Sequence, residues 1–271
     1  MERIEIAHPA LPASCEGLTV LHLSDFHVRR RVLRPAQRHA ALLRALERLP
    51  APDVIAITGD LMSYRGDEDN ALRAWREVLE RLRPRTAAVG VFGNHDPLHF
   101  RRAVKALPGV TWFDPHGHLT IDSLNLRLIG CSWPEDWLGA ALDAGAPLAP
   151  SPDGTAPFAI ALTHTPACLP ALAAMRVPVV LAGHTHGGQA RFALPWNHAR
   201  HWAPHNSCDL PRGMSSGLLR VDGTVCAVTR GIGTQFLDLR WNCPWQVPVY
   251  TLRCGPGPVS CGGQPLRCQT H

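Results

Sequence analysis

Five short apolar runs punctuate the chain, and each stops at a polar side chain able to hold a metal ion or move a proton. Residues 18–23 run into Ser24-Asp25-Phe26-His27, and residues 53–58 into Gly59-Asp60. Residues 86–92 lead to Gly93-Asn94-His95-Asp96, residues 158–163 to His164, and residues 178–182 to Gly183-His184-Thr185-His186-Gly187-Gly188. Runs of this length, rich in β-branched residues and closed by glycine or a polar turn, predict buried strands. Between them, helical spacing of Ala, Leu and Arg predicts helices over 35–49, 70–82 and 98–107, each followed by proline within a few residues. Strand and helix thus alternate three times from residue 18, the pattern of parallel strands joined by crossovers.

Beyond residue 107 the pattern is looser. Residues 120–122 and 124–131 predict a hairpin or two adjacent strands, and 140–156 a loop rich in Pro, Gly and Ala. A loop is also predicted over 191–216, around Trp196, His198, His201, Trp202 and His205. Strands at 217–221 and 224–229 would turn at Asp222-Gly223, and a last strand covers 247–252. No element is assigned before residue 18. With no internal repeat or internal boundary, one domain is predicted over 1–254, with 255–271 a flexible tail.

Composition narrows the class. A chain of 271 residues with 45% hydrophobic content and mean hydropathy of −0.05 is that of a soluble globular protein with a sizeable core. No apolar stretch approaches the roughly 20 residues that cross a bilayer. Residues 1–16 lack a basic segment followed by an apolar one, so a cytoplasmic location is expected. The charge of +5 comes almost wholly from arginine, since Lys105 is the only lysine. It favours anionic substrates or an anionic membrane surface, and no nucleic-acid partner is expected. Nine scattered cysteines without a Cys-x-x-Cys pair are read as free thiols.

The strand ends deliver Asp25, His27, Asp60, Asn94, His164, His184 and His186, seven nitrogen or oxygen donors and no thiolate. One divalent ion rarely takes seven such side chains. Two ions sharing one carboxylate would take four each and leave room for water and substrate. Histidine with carboxylate and amide suits Mn, Fe or Zn. His95 follows Asn94 in the third of these turns, and histidine is the side-chain type suited to acid work near neutrality. For Asp96 two roles stay open, orienting His95 or starting the next turn. Arg29, Arg30, Arg31 and Arg34 could meet a second phosphate or form a solvated face. His22, His99, His116, His118, His198, His201 and His205 are read as ordinary core or surface histidines.

In their order along the chain, Asp25-x-His27, Gly59-Asp60, Gly93-Asn94-His95-Asp96, His164 and Gly183-His184-x-His186 resemble the five motifs of the calcineurin-like metallophosphoesterases. The resemblance spans nearly the whole chain. It implies an α/β fold, a four-layer αββα sandwich of two mixed sheets flanked by helices. It also implies Asp25, His27 and His186 on a first metal, Asn94, His164 and His184 on a second, and Asp60 bridging. A metal-bridging hydroxide would attack phosphorus, with His95 stabilising the transition state or protonating the leaving oxygen. The implied activity is a phosphodiesterase or pyrophosphatase, with nucleotide phosphodiesterase or phosphomonoesterase as alternatives. Because every ligand position is filled, a scaffold that has lost its chemistry is disfavoured.

Three further stretches, Gly183 to Gln189, Thr229-Arg230-Gly231-Ile232-Gly233-Thr234, and Leu239-Arg240-x-Asn242-Cys243-Pro244, resemble the bacterial subgroup that includes a UDP-2,3-diacylglucosamine pyrophosphatase. That subgroup implies a lipid-linked or nucleotide diphosphate substrate met at a membrane surface, with the Trp196 to Trp202 region as a lipid contact.

Overall fold

The computed structural model describes residues 1–29, 35–137, 139–140, 148–151, 156–194, 197–202, 215–236, 238–256, 260–261 and 264–265. In chain order the first strands and helices are β1 (Glu2–His8), β2 (Thr19–Leu23), α1 (Pro35–Glu47), β3 (Val54–Thr58), α2 (Glu68–Leu79), β4 (Ala87–Val91), α3 (Leu98–Lys105) and β5 (Thr111–Trp112). The second half holds β6 (His116–Ile121), β7 (Leu126–Cys131), β8 (Phe158–Thr163), α4 (Leu169–Ala174), β9 (Val179–Ala182), β10 (Phe192–Leu194), β11 (Asn197–Trp202), β12 (Gly217–Val221), β13 (Thr224–Val228) and β14 (Pro248–Cys254).

Two six-stranded sheets result, ordered β1-β14-β2-β3-β4-β5 and β12-β13-β9-β8-β7-β6. Both are mixed: β2, β3, β4 and β5 run parallel while β14 opposes β2, and β13, β9, β8 and β7 run parallel while β12 and β6 oppose their neighbours.

Strand alternation assigns each side chain to a layer. On β3, Val54 and Ala56 join Leu128, Ile160, Leu181 and Ala227 in the core between the sheets. Their neighbours Ile55 and Ile57 face outward against Leu42 of α1, Trp75 of α2 and Phe100 of α3. On the far side, Ala161, Val180 and Val228 meet Leu169 and Leu172 of α4. Helix, sheet, sheet and helix form four layers. Each fully buried Val, Leu or Ile contributes roughly 1.5 to 3 kcal/mol, so the interleaved layers hold the strands in register. Because β2, β3 and β4 share a direction in one sheet and β8 and β9 in the other, their C-terminal ends open onto one edge, where ligands of open α/β sheets bind.

Several elements depart from the sequence pattern. The sequence pattern assigns no element before residue 18, yet β1 forms there, with Ile4 and Ile6 alternating with charged residues and pointing into the core. It pairs in parallel with β14, at the opposite end of the chain. The loop expected over 191–216 is corrected over its first half, where β10 and β11 form an antiparallel hairpin. A three-residue strand is too short to show a period, and only its partner defines it. Trp196, His205 and residues 203–214 lie outside the described residues. So do Arg30, Arg31, Arg34 and Cys268. Within the predicted tail, Ser260–Cys261 and Gln264–Pro265 form a short antiparallel ladder. Cys15, Cys131, Cys168, Cys226, Cys243 and Cys254 are free thiols. No helix among the described residues is long and apolar enough to cross a membrane.

Candidate metal centre

All seven donors anticipated from the strand ends meet at this edge. Asp25 and His27 follow β2, Asp60 follows β3, Asn94 follows β4, His164 follows β8, and His184 and His186 follow β9. Five of the seven, Asp25 (φ 53°), His27 (φ 44°), Asp60 (φ 55°), His184 (φ 68°) and His186 (φ 51°), hold left-handed backbone. Non-glycine residues pay for that conformation at roughly 1 to 3 kcal/mol each, and it persists only where surroundings impose it. Here the loops brace one another. The Asp25 N–H donates to the Gly59 carbonyl (2.9 Å), and the His27 N–H to the Asp60 carbonyl (3.1 Å). The His184 N–H donates to both Asp25 carboxylate oxygens, at 3.1 Å.

Space is as tight as conformation. A Cβ on Gly93 would strike Asp60 Oδ1, with the Asp60 nitrogen and His164 Cε1 each 2.7 Å away. One on Gly183 would strike Ser24 Oγ and reach Asp25 Oδ2 at 2.5 Å. Only glycine lets the facing loops close to this distance.

The donor atoms form two groups that meet at Asp60. In the first, His186 Nε2 lies 2.9 Å from His27 Nε2 and 3.5 Å from Asp25 Oδ1. In the second, His164 Nε2 lies 3.0 Å from Asn94 Oδ1 and 3.1 Å from His184 Nδ1. Asp60 Oδ2 stands 3.3 Å from both His27 Nε2 and His164 Nε2. Buried nitrogens and carboxylate oxygens converging so closely, with no thiolate, fit hard or borderline divalent ions.

Electrostatics shows the same tension. Burial pushes the Asp25 carboxyl up, with Asp60 adding to it. Burial opposes ionisation of Asp60 too, yet His164 and His27 hold its carboxyl well below the ordinary range. Against burial, Asp60 and Asp25 raise His164 to about 10.

A family profile described as calcineurin-like phosphoesterase matches residues 18–188, from the start of β2 through the His184/His186 turn. The chain belongs to the calcineurin-like phosphoesterase family. As a member it is a metal-dependent phosphoesterase. It is 26% identical over 192 residues to the metallophosphoesterase YkoQ of Bacillus subtilis (strain 168), covering 69% of this chain and 67% of that one. To YkuE of the same organism it is 27% identical over 208 residues, covering 74% and 68%. A zebrafish (Danio rerio) transmembrane protein with metallophosphoesterase domain is 29% identical over 206 residues, which cover 69% of this chain and 44% of that protein.

Around this phosphoesterase centre lie further side chains, of which Ser63, Tyr64 and Gln235 are not singled out by the sequence pattern. His95 donates its backbone N–H to Asp60 Oδ1 (2.9 Å). Its Nδ1 sits 2.8 Å from the Ser63 carbonyl, so Nδ1 carries the proton, and Nε2 faces Gln235 Nε2 at 2.7 Å. Asp96 does not orient the His95 ring: its carboxylate accepts from the N–H groups of Gly93, Asp60 and Leu61 at 2.8 to 2.9 Å, fixing the turn that carries Asp60. Arg29 donates to Ser63 Oγ and to the Phe236 and Thr234 carbonyls and lies over the Tyr64 ring, so it braces the site wall. Arg240 donates to the His186 carbonyl (3.1 Å), and the Cys243 thiol does the same (3.3 Å). Gln235 lies some 50 residues beyond the last motif, and only the folded chain brings it to His95.

Proposed function

We propose that this phosphoesterase binds two divalent ions, Mn, Fe or Zn, and hydrolyses phosphodiester or pyrophosphate bonds. Asp25, His27 and His186 hold one ion, Asn94, His164 and His184 the other, and Asp60 is shared. The observation that carries this reading is the placement of Asp60 Oδ2 at 3.3 Å from a histidine of each group, His27 and His164. When bound, such a pair supplies charge at the phosphoryl oxygens and lowers the pKa of water so that it can attack.

The chain's own residues do the rest. Asn94 is exposed and His95 and His184 are half-buried, so the site opens to substrate on that side. Asn94 is a neutral donor, which leaves the centre enough positive charge to attract a phosphoester. His95, tethered through Nδ1 to Ser63, presents Nε2 at the mouth; protonated there, it would hand that proton to the leaving oxygen.

A finer reading, cleavage of UDP-2,3-diacylglucosamine or a similar amphiphilic diphosphate, is supported by two features. The stretches that carry the subgroup resemblance converge on His186 through Arg240 and Cys243. Beside His95, Tyr64 is 46% and Phe236 is 68% exposed, offering apolar surface at the mouth. The test is UMP release from UDP-2,3-diacylglucosamine in detergent by the Mn-loaded protein, with a chromogenic phosphodiester in parallel. Metal-dependent cleavage of both supports the full reading. Cleavage of the chromogenic ester alone keeps the two-metal hydrolase and discards the lipid substrate. Inertness toward phosphoesters of every class would overturn the proposal.

A further inference from the structure

One buried histidine does not belong to the centre yet is wired to it. His22 lies on β2, fully buried, between β14 and β3. Alternation turns Leu21 and Leu23 toward the helices and His22, like Val20, toward the space between the sheets. Its ring is 5.9 Å from that of Tyr250. Its Nδ1 has no hydrogen-bond partner among the described residues. A buried polar atom left without a partner costs stability, and an apolar side chain at the same place would avoid that cost. Something else must be gained from an imidazole there.

The gain lies on the other nitrogen. His22 Nε2 is 2.8 Å from Thr58 Oγ1, Thr58 Oγ1 is 2.7 Å from Ser24 Oγ, and Ser24 Oγ is 2.6 Å from Asp25 Oδ2. Hydrogen-bond capacity settles the direction of this chain. As a metal ligand Asp25 is ionised, and an ionised carboxylate only accepts, so the Ser24 proton goes to Asp25. Thr58 must then donate to Ser24, and His22 must donate to Thr58 from Nε2. The proton therefore sits on Nε2, which is why Nδ1 is the atom left bare. Burial holds the His22 pKa down to about 3, so the ring is a neutral donor.

The chain ends on Oδ2, and Asp25 Oδ1 is the oxygen that faces His186 Nε2 at 3.5 Å and His27 Nε2 at 4.0 Å. Thr58 also links the two halves of the centre, since its carbonyl is 2.7 Å from His164 Nδ1.

We propose that His22 is a positioning residue of this phosphoesterase: acting through Thr58 and Ser24, it pins Asp25 Oδ2 and so presents Oδ1 to the metal. The inference rests on the reading of Asp25 as a metal ligand. Partners of this kind around ligating groups change metal affinity by about 10- to 100-fold when removed.

Mn titration calorimetry on the metal-free protein tests it, with His22→Leu, Ser24→Ala, their double variant and His22→Gln, whose amide can still donate. We expect His22→Leu and Ser24→Ala each to weaken one of the two Mn sites about tenfold or more. His22→Gln should restore affinity to within about threefold. The double variant should bind no more weakly than Ser24→Ala, because His22 acts through Ser24. Nitrogen-15 spectra of the metal-free protein should show the His22 proton on Nε2. If His22→Leu does not fold, Ser24→Ala, His22→Gln and the spectra carry the test. Wild-type affinity in a folded His22→Leu or Ser24→Ala variant, losses that simply add in the double variant, or a proton on Nδ1 would overturn the inference. Failure of the wild-type protein to bind Mn would instead overturn the metal assignment itself.

Discussion

Replacing Asp96 by asparagine isolates how this fold holds Asp60, the proposed shared ligand. Oδ2 of Asp96 accepts from the Asp60 N–H (2.8 Å) and the Gly93 N–H (2.9 Å), while Oδ1 accepts from the Leu61 N–H (2.9 Å). The group is 1% exposed, so water cannot substitute for it. Asparagine keeps the shape but only one acceptor oxygen. Whichever way the amide turns, its NH2 faces at least one backbone N–H, and that donor is left buried without a partner. Each such orphan costs about 1 to 3 kcal/mol, and loss of the charge weakens the remaining bonds. A total of about 3 kcal/mol corresponds to a fall in Tm of roughly 6 to 12 °C for a chain of this size. The Asp60 turn would loosen with it, so Mn affinity should fall about tenfold or more. Thermal melts with and without Mn read both effects. A variant that melts within about 2 °C of wild type and binds Mn as tightly would refute the idea that Asp96 holds the Asp60 turn.

The remaining predictions concern packing, protons and the proposed role of His95. Gly93→Ala should fold poorly or lose most of its Mn affinity, since its Cβ would push on Asp60 and His164; full Mn affinity in a folded variant would contradict the close approach of these loops. His164 is raised to about 10, so in the metal-free protein it is protonated at pH 7 and must lose that proton to ligate. Mn uptake at pH 7 should therefore release about one proton per molecule and tighten with rising pH, as calorimetry in buffers of different ionisation heat would show; proton-neutral uptake would be contrary. Because His22 is held down to about 3 when folded, the unfolded chain takes up a proton below about pH 6.5 that the folded chain does not. Its contribution is thus complete above pH 6.5 and lost at about 1 kcal/mol per unit as pH falls. Denaturant midpoints for wild type and His22→Gln should converge between pH 7 and 5, and a constant gap would refute this. His95→Ala should keep both Mn ions while the rate drops about 10² to 10⁴-fold; an unchanged rate removes His95 from the chemistry.

What the sequence shows on its own is local. β2, β3, β4, β8 and β9 are apolar runs of four to six residues, and the polar residue ending each run follows from where the strand stops. The donors were legible for the same reason, because strand ends put chemistry-bearing side chains at fixed offsets. Long-range partners were not legible. β1 finds β14 across nearly the whole chain, and β10 exists only through β11. His22 looked like an ordinary core histidine, since its meaning depends on Thr58, which is 36 residues away. Asp96 posed a choice between two local roles, and the fold uses it for a third, on the backbone of a neighbouring turn. Gln235 reaches His95 over 140 residues, a contact no spacing rule anticipates.

The most direct measurement is electron paramagnetic resonance of the protein loaded with two equivalents of Mn(II). Two ions sharing the Asp60 carboxylate lie about 3.5 to 4 Å apart and must couple magnetically. A coupled-pair spectrum in the wild-type protein, replaced in Asp60→Asn by the signal of isolated Mn or by loss of an ion, is the predicted result. Isolated Mn signals in the wild type at full loading, or binding that saturates at one ion, would contradict a two-metal phosphoesterase centre built on Asp60.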